Sequence, residues 1–274
     1  MPELPEVEST VSSLRQEIIG KTIVGVKATW PRMLEPYSPR TLKRRITGYT
    51  VADVKRRAKC ILITLSNSKD RDTSSFTLLI HLRMSGRLQI VDAKSSSHPH
   101  ARVILSFDDG SECRFIDPRK FGRCTLLTQE ELDTRLCSYG PEPLDARFSS
   151  RAFFNALQLR KRALKPLLLD QQFIAGIGNI YADESLWEAR LHPLRSAHDV
   201  SLKEASVLLK AIKRILRSAI RLNGTDFGDG VVHNGQFEPR VYGRGGEPCP
   251  RCGMDLTRLV VAQRGTVVCN TCQS

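Results

Sequence analysis

The stretch CPRCGMDLTRLVVAQRGTVVCNTC, residues 249–272, decides how the C-terminal end of this chain folds. It contains the pairs Cys249-x-x-Cys252 and Cys269-x-x-Cys272, which are separated by sixteen residues. Two thiol pairs at this spacing, carried on a β-hairpin, can meet at the corners of a tetrahedron around Zn²⁺. The alternatives are two disulfides or a chance spacing. Because nothing indicates export, we expect one structural Zn²⁺ per chain, whose four ligands leave no open catalytic position.

The predicted hairpin between the two cysteine pairs is basic. Arg258 and Arg264 lie on it, and Arg264-Gly265 stands where its tip would be. A basic tip is well placed to probe DNA, whereas the alternative is an arginine that is only solvated. The choice between the two depends on what the rest of the chain binds.

The chain as a whole is strongly basic. Its 274 residues include 42 Lys and Arg against 29 Asp and Glu, which gives a formal net charge of +13. Such a charge favours a polyanionic partner, usually nucleic acid, with ribosomes and anionic lipid as alternatives. The sequence contains no run of about 18 apolar residues, so we expect no membrane span. The start MPELPEVEST is acidic, which argues against a secretory signal and favours a cytoplasmic location.

The order of predicted elements divides the chain into a β-rich part and a helical part. Apolar residues at helical spacing predict a helix over residues 3–19. Short β-branched runs then favour a β-sandwich or a barrel-like domain; they cover residues 22–29, 49–54, 60–65, 76–82, 87–91, 102–107, 112–116 and 124–127. After a Gly- and Pro-rich linker, the patterns predict helices over residues 151–159, 163–170, 179–189 and 201–222.

A glycine-containing turn, Gly176-Ile177-Gly178-Asn179, lies between two of the predicted helices. The second of these helices presents free backbone N–H groups at its start, and such groups attract phosphate. Asn179 would cap this helix and also donate to a phosphate. The alternative is an ordinary turn with a capping Asn, but the preceding Lys161, Arg162 and Lys165 favour phosphate.

The N-terminal residues Pro2 and Glu3 are compatible with covalent chemistry. Removal of Met1 would expose Pro2 as a secondary amine, and an α-amino group with a pKa of about 8 is partly unprotonated near neutrality. Such an amine can attack an aldehydic sugar carbon and form a cationic iminium, with Glu3 as the general acid or base. The alternative is a chain start whose composition only favours a helix.

Seven blocks of sequence occur in a fixed order along the chain. They are MPELPEVE at 1–8, HLRMSG at 81–86, DPRKFG at 117–122, GPEPL at 140–144, GNIYADE at 178–184, VYGR at 241–244 and QRGT at 263–266. Each block alone is modestly specific, but seven in order leave little room for chance. Together with the cysteine pairs, they make the chain closely resemble the formamidopyrimidine-DNA glycosylases over nearly its whole length.

The resemblance implies an α+β fold with three parts. These are an N-terminal β-sandwich flanked by helices (1–139), a helix–two-turn–helix domain (149–236) that follows a linker (140–148), and a C-terminal zinc-finger β-hairpin (237–274). In this family, double-stranded DNA with an oxidised base lies between the two halves. We therefore expect a monomer in the bacterial cytoplasm, associated with the nucleoid through DNA.

The resemblance also assigns catalytic roles. Pro2 would attack C1′ of the damaged nucleotide, and Glu3 would protonate the sugar ring oxygen and later move protons. Lys59 matches a lysine that contacts the backbone at the lesion, and Arg264 matches a phosphate-binding arginine. Glu6 would orient the catalytic end, and the further expected DNA-binding residues are His81, His100, Lys165 and Asn179.

Three more residues match the family's probe triad. Met84 would fill the gap left by a base that is flipped out, Arg119 would hydrogen-bond its orphaned partner, and Phe121 would wedge the adjacent step. A thioether and a phenyl ring can replace stacking, and arginine supplies planar donors. The alternative, from the residues alone, is that Met84 and Phe121 belong to the core of a β-domain.

The implied activity is a bifunctional glycosylase and lyase of base excision repair, which excises 8-oxoguanine and formamidopyrimidines through a proline iminium and then performs β,δ-elimination. One segment departs from the family: residues 223–241 are shorter and differently composed, and they would carry the loop that caps the flipped base. Two alternatives follow, an endonuclease VIII-like glycosylase for oxidised pyrimidines and a non-catalytic protein that binds damaged DNA. The start MPELP and the Arg119–Phe121 pair argue against the first, and the intact Pro2, Glu3 and Lys59 argue against the second.

Overall fold

The computed structural model describes residues 1–67, 75–226 and 235–274. These residues belong to two compact units. The first contains Met1–Pro2, Glu6–Cys137 and Asp226, and the second contains Glu3–Pro5, Ser138–Thr225 and Gly235–Ser274. Residues 227–234, within the segment expected to cap a flipped base, lie outside the described residues.

The first unit is built from antiparallel strands with helices at its start and end. Its elements are α1 (Leu4–Ile18), β1 (Ile23–Ala28), a 3₁₀ turn (Pro31–Leu34), α2 (Pro39–Ile46), β2 (Thr50–Arg57), β3 (Cys60–Ser66), β4 (Phe76–His81), β5 (Arg87–Asp92), β6 (Ala101–Phe107), β7 (Ser111–Ile116), β8 (Arg123–Leu127) and α3 (Gln129–Leu136). The described strands form two four-stranded sheets, in the orders β1-β6-β7-β5 and β2-β3-β4-β8. Every strand pair in them is antiparallel.

The two sheets share one hydrophobic core, which makes this unit a β-sandwich. Strand β6 alternates buried and half-buried residues, as expected for one face turned toward the core. Strand β3 is buried along most of its length because it lies in the interior of its sheet. Helix α1 adds Val7, Val11 and Leu14 to the same core, at the three- and four-residue spacing that places them on one face.

The second unit combines a helical bundle with a small hairpin. Its elements are α4 (Ser150–Gln158), α5 (Leu164–Leu168), α6 (Asn179–Ala189), a 3₁₀ turn (Ala197–Asp199), α7 (Leu202–Arg221), β9 (Thr257–Val261) and β10 (Arg264–Val268). Helix α6 is buried on every side, since its residues 180–187 and 189 are all buried. In the described parts of the chain, no helix combines the length and apolar character needed to cross a membrane.

The sequence patterns predicted the strands better than the short helices. Each of the eight predicted β-branched runs is a strand, with ends that coincide or differ by at most three residues. The helix expected over 163–170 is only Leu164–Leu168. Helices α2 and α3 were not predicted, because each carries only two apolar residues, too few for a clear periodicity.

We expect Phe115→Ala to destabilise the first unit, because the ring lies in the shared core with 1% of its surface exposed. Removing a buried phenyl ring should lower the free energy of unfolding by about 3–5 kcal/mol. The matched control is Val24→Ala in β1, which removes a side chain that is 49% exposed and should change stability by less than about 0.5 kcal/mol. Equal urea unfolding midpoints for the two variants would contradict this assignment of the core.

Candidate active site and nucleic-acid interface

Glu3 is held at the start of helix α6. Its carboxylate accepts hydrogen bonds from the backbone N–H groups of Gly178 (2.6 Å), Ile180 (3.0 Å) and Tyr181 (3.5 Å). The first N–H groups of a helix have no partners within the helix, and its positive end favours an anion. This anion is the protein's own carboxylate, and Glu3 itself is buried.

This arrangement corrects the expectation that the start of α6 is free for phosphate and capped by Asn179. Gly178 occupies the N-cap position, and as a glycine it has no side chain that could cap the helix. Asn179 is the first helical residue, and its Nδ2 donates to the carbonyl of Gly265 at 3.0 Å instead. The sequence did not predict this because the acceptor comes from a residue 175 positions earlier in the chain.

Two glycines make room for the first residues of the chain. A Cβ atom at Gly178 would lie 2.3 Å from Cδ of Glu3. Gly176 has a left-handed φ of 85°, and a Cβ there would lie 2.7 Å from the side chain of Leu4. The N–H of Leu4 in turn donates to the carbonyl of Gly176 at 3.0 Å. The predicted tight turn at Gly176 is confirmed, and its role is to receive Glu3 and Leu4.

Pro2, Glu6 and Lys59 belong to the first unit and are all buried. Lys59 stands on the turn between β2 and β3, where Ala58 has a left-handed φ of 53°. Lysine and glutamate side chains are rarely buried unless they are paired, so the surrounding fold fixes the positions of Lys59 and Glu6. Pro2 precedes Glu3 directly in the chain, so the backbone that carries its nitrogen continues into the residue anchored on α6.

Met84, Arg119 and Phe121 are exposed on two loops of the first unit. Met84 exposes 43% of its surface and Phe121 exposes 49%, which excludes the alternative that they are core residues. The guanidinium of Arg119 lies 5.0 Å from the ring centre of Phe121. The three side chains are therefore presented to the surroundings of the protein.

Asp117 shapes both of these loops, and the sequence had assigned it no role. Its fully buried carboxylate accepts hydrogen bonds from the Ser85 hydroxyl (2.6 Å) and from the backbone N–H groups of Arg119 (3.2 Å) and Gly122 (2.8 Å). Beneath the loops, Cβ atoms at Gly86 and Gly122 would lie 2.7 and 2.4 Å from the ring of Phe115. An Asp that precedes a turn is a recognisable signal for such side-chain-to-backbone bonds.

His81 is a neutral donor. Burial, with the nearby charges of Arg83 and Lys59, lowers the pKa of His81 to about 4. Its Nδ1 accepts a hydrogen bond from the N–H of Arg83 at 3.0 Å, so the ring proton lies on Nε2. The Nδ1 atom of His100 lies 3.0 Å from a guanidinium nitrogen of Arg102 and therefore accepts as well.

Lys165 does not lie where a phosphate-binding residue would, which corrects the prediction made for it. Its side chain is fully buried, and Nζ lies 2.6 Å from Oδ1 of Asp183. The same ammonium donates to the Gly265 carbonyl at 3.0 Å and to the Thr266 hydroxyl at 2.7 Å. An ammonium has three N–H donors, so these partners occupy all of them. Burial lowers the pKa of Lys165 and raises the pKa of Asp183, while their attraction opposes both shifts.

The hairpin tip and the four C-terminal cysteines lie as the sequence predicted. Arg264 is exposed at the start of β10, opposite Val261. The Sγ atoms of Cys249, Cys252, Cys269 and Cys272 all lie within 4.8 Å of one another.

The geometry of these sulfurs fits a tetrahedral Zn²⁺. Tetrahedral Zn–S bonds of about 2.3 Å place neighbouring sulfurs about 3.8 Å apart, and the Sγ atoms of Cys252 and Cys269 are 3.5 Å apart. A disulfide needs about 2 Å, so these cysteines are not paired as disulfides. The indole Nε1 of Trp187 approaches Sγ of Cys249 at 3.4 Å, as an outer partner of a metal ligand would.

Three family models match this chain along most of its length. They are the formamidopyrimidine-DNA glycosylase N-terminal domain over residues 1–124, the formamidopyrimidine-DNA glycosylase H2TH domain over 139–229, and a zinc finger found in FPG and IleRS over 246–274.

Individual relatives agree with the family models. The chain is 42% identical to a formamidopyrimidine-DNA glycosylase of Herpetosiphon aurantiacus over 280 residues and 44% identical to one of Roseiflexus sp. over 279, with full coverage of both chains in each case. Among solved structures, it is 33% identical to Lactococcus lactis Fpg bound to DNA with an abasic site (TM-score 0.90) and to DNA with N7-benzyl-Fapy-dG (TM-score 0.91), covering 99% of each chain.

We expect Gly178→Ala to displace the Glu3 carboxylate from α6, because the added methyl group would overlap it. The N–H groups of Ile180 and Tyr181 would then lose their acceptor and exchange with solvent faster. Amide hydrogen exchange measures this directly. Gly25→Ala is the matched control, since a Cβ there meets only Ser106 at an ordinary 3.5 Å. Unchanged protection of both amides in Gly178→Ala would contradict the assignment.

We expect His81 to make stability dependent on pH between about 6.5 and 4. Its folded pKa of about 4 lies below the ordinary histidine value of 6.5, so as pH falls the unfolded chain binds the proton first. Wild type should therefore lose stability relative to His81→Gln as pH falls through this range, and the two should run parallel above it. Urea unfolding at several pH values measures the difference, and parallel curves down to pH 4.5 would refute it.

We expect the purified protein to contain one zinc ion per chain, measured by elemental analysis. Cys252→Ser should reduce zinc retention during dialysis against a chelator, because it removes one of four ligands. Cys137→Ser is the control, since that exposed cysteine lies outside the cluster. A correctly folded protein that contains no zinc would contradict the assignment of the zinc site.

Proposed function

This chain belongs to the formamidopyrimidine-DNA glycosylase family, and on that premise we propose that it excises oxidised purines from double-stranded DNA through an iminium formed on Pro2. Membership makes it a zinc-finger DNA glycosylase of DNA repair. The observation that carries the finer proposal is the buried Glu3 carboxylate, fixed at the start of α6 in the residue that follows Pro2. It provides a fixed proton-transfer group beside an N-terminal secondary amine.

The proposed reaction begins at C1′ of the damaged nucleotide. The Pro2 nitrogen forms a bond to C1′, the bond from C1′ to the base breaks, and the sugar ring opens as its oxygen takes a proton. Glu3 takes up the proton that the Pro2 nitrogen loses and passes it to the ring oxygen, while the base leaves with the electrons of its bond and takes a proton from water. The product is an iminium between Pro2 and the opened sugar.

The iminium acidifies the proton on C2′, so strand cleavage follows by elimination. Loss of this proton breaks the bond from C3′ to the 3′ phosphate, and a second elimination breaks the bond from C5′ to the 5′ phosphate. Water then hydrolyses the iminium and returns Pro2 as an amine. The steps break C–N and C–O bonds and transfer protons, and none of them needs an external oxidant or reductant.

The remaining predicted residues are proposed to bind the duplex. Arg264, Asn179 and the Nε2–H of His81 would donate to phosphates, since most protein–DNA hydrogen bonds go to the backbone. Met84, Arg119 and Phe121 would occupy the space of the flipped nucleotide, which fits their exposure on loops tied by Asp117. As the family resemblance implies, Lys59 would contact the backbone at the lesion, Glu6 would orient the catalytic end, and His100 would bind DNA.

The assembly and the division of the chain are proposed in the same way. One chain would enclose one duplex as a monomer, in the bacterial cytoplasm on the nucleoid. The proposed parts are residues 1–139, the linker 140–148, the DNA-binding domain 149–236 and the zinc finger 237–274.

We expect borohydride to trap the wild-type protein covalently on a duplex that carries 8-oxoguanine opposite cytosine, and not to trap Pro2→Gly. Pro39→Gly is the matched control, since Pro39 lies at the start of α2. Parallel duplexes carry a formamidopyrimidine, an oxidised pyrimidine and an abasic site. Trapping only on the oxidised pyrimidine would favour the endonuclease VIII-like alternative. Failure to trap even the abasic duplex would favour a protein that only binds damaged DNA.

A further inference from the structure

The proposed chemistry does not use the buried ion pair of Lys165 and Asp183. Both side chains are almost completely buried, with 0% and 1% of their surface exposed, and the charged atoms are 2.6 Å apart. Replacing such a pair by apolar side chains of similar volume is often neutral or stabilising, so stability alone does not explain it. What the pair contacts is more informative.

Both members of the pair bind the zinc-finger hairpin. Lys165 donates to the carbonyl of Gly265 (3.0 Å) and to the hydroxyl of Thr266 (2.7 Å). Oδ2 of Asp183 accepts the N–H of Val267 at 3.1 Å. Three consecutive residues of β10 are therefore held by one ion pair.

These contacts satisfy the open edge of β10. Among the described strands, β10 pairs only with β9, so every second residue of β10 turns its N–H and C=O groups away from the hairpin. Gly265 and Val267 are two residues apart and present such groups to Lys165 and Asp183. Replacing Lys165 or Asp183 by an apolar side chain would leave these edge groups with fewer partners.

The same contacts fix the two residues proposed to bind phosphate. The carbonyl of Gly265 also accepts a hydrogen bond from Nδ2 of Asn179 at 3.0 Å. Arg264 is the residue immediately before Gly265, and its side chain is exposed. The position of the arginine relative to the amide is thus set at Gly265.

We propose that Asp183, together with Lys165, is a positioning residue that fixes the hairpin so that Arg264 and Asn179 bind DNA phosphate together. This inference rests on the proposed function. In this proposal, Asp183 does not contact DNA and acts only through the hairpin. The Lys165 ammonium contributes through the carbonyl of Gly265 rather than through a phosphate.

The test compares Asp183→Asn with the double variant Lys165→Met/Asp183→Leu. The single variant keeps the shape of the side chain and removes its charge. The double variant removes both charges and fills the site with apolar atoms, which should restore a normal thermal unfolding midpoint. The matched control is Glu112→Gln, which breaks another buried ion pair, with Arg114 at 2.9 Å, in the first unit.

Besides the thermal unfolding midpoint, three quantities are measured: zinc content, hydrogen exchange of the hairpin peptide 257–268, and affinity for a duplex with a tetrahydrofuran abasic analogue. We expect one zinc in every variant. We expect faster hairpin exchange and an affinity loss on the order of tenfold or more in both pair variants, since weakening a hydrogen bond to a charged phosphate lowers affinity by about this factor. The slope of log affinity against log salt concentration should become shallower by the equivalent of about one phosphate contact. Glu112→Gln should match wild type in all three.

The outcomes separate this inference from the function on which it rests. If the double variant regains both the unfolding midpoint and full affinity, the pair is only structural and the inference fails. If hairpin exchange is unchanged in both variants, the pair does not hold the hairpin and the inference fails regardless of binding. If wild type does not bind the duplex while exchange responds as expected, the proposed function fails, and the DNA-binding part of the inference is overturned with it.

Discussion

The structure depends on one carboxylate at the start of a helix. Glu3 satisfies three backbone N–H groups at the beginning of α6, and the helix end in turn stabilises the negative charge. Residues far apart in sequence are thereby made dependent on one another. Position 178 has to be glycine because the carboxyl group fills the space of its side chain, and position 176 adopts a backbone that favours glycine.

Buried carboxylates play the same part elsewhere in the fold. Asp117 accepts three donors and defines the two loops that carry Met84 and Phe121. Glu184 accepts the N–H groups of residues 240, 241 and 242, where the chain enters the finger. In each case, a backbone segment outside regular secondary structure obtains its hydrogen bonds from one acid. Irregular segments can therefore be as well defined as the sheets beside them.

The sequence predicted features that depend on local pattern. Eight strands followed from β-branched runs between turns, and the sulfur cluster followed from the spacing of two cysteine pairs, because both signals lie within short stretches. Burial and distant partners carry no such signal. Lys165 resembled an exposed basic residue among Lys161 and Arg162, but Asp183 and the hairpin enclose it. Asn179 looked like a helix cap because the true acceptor, Glu3, lies at the other end of the chain.

The ring of Phe115 fills the space that a side chain at Gly86 or at Gly122 would need, so two loops that are separate in sequence pack on the same buried ring. The backbone of loops held in this way loses little conformational freedom when it meets another molecule, since that freedom was already lost during folding. The backbone that carries Met84, Arg119 and Phe121 is therefore pre-organised before any partner binds. A partner has to deform to fit it, and partners that deform more easily will fit it at a lower energetic cost.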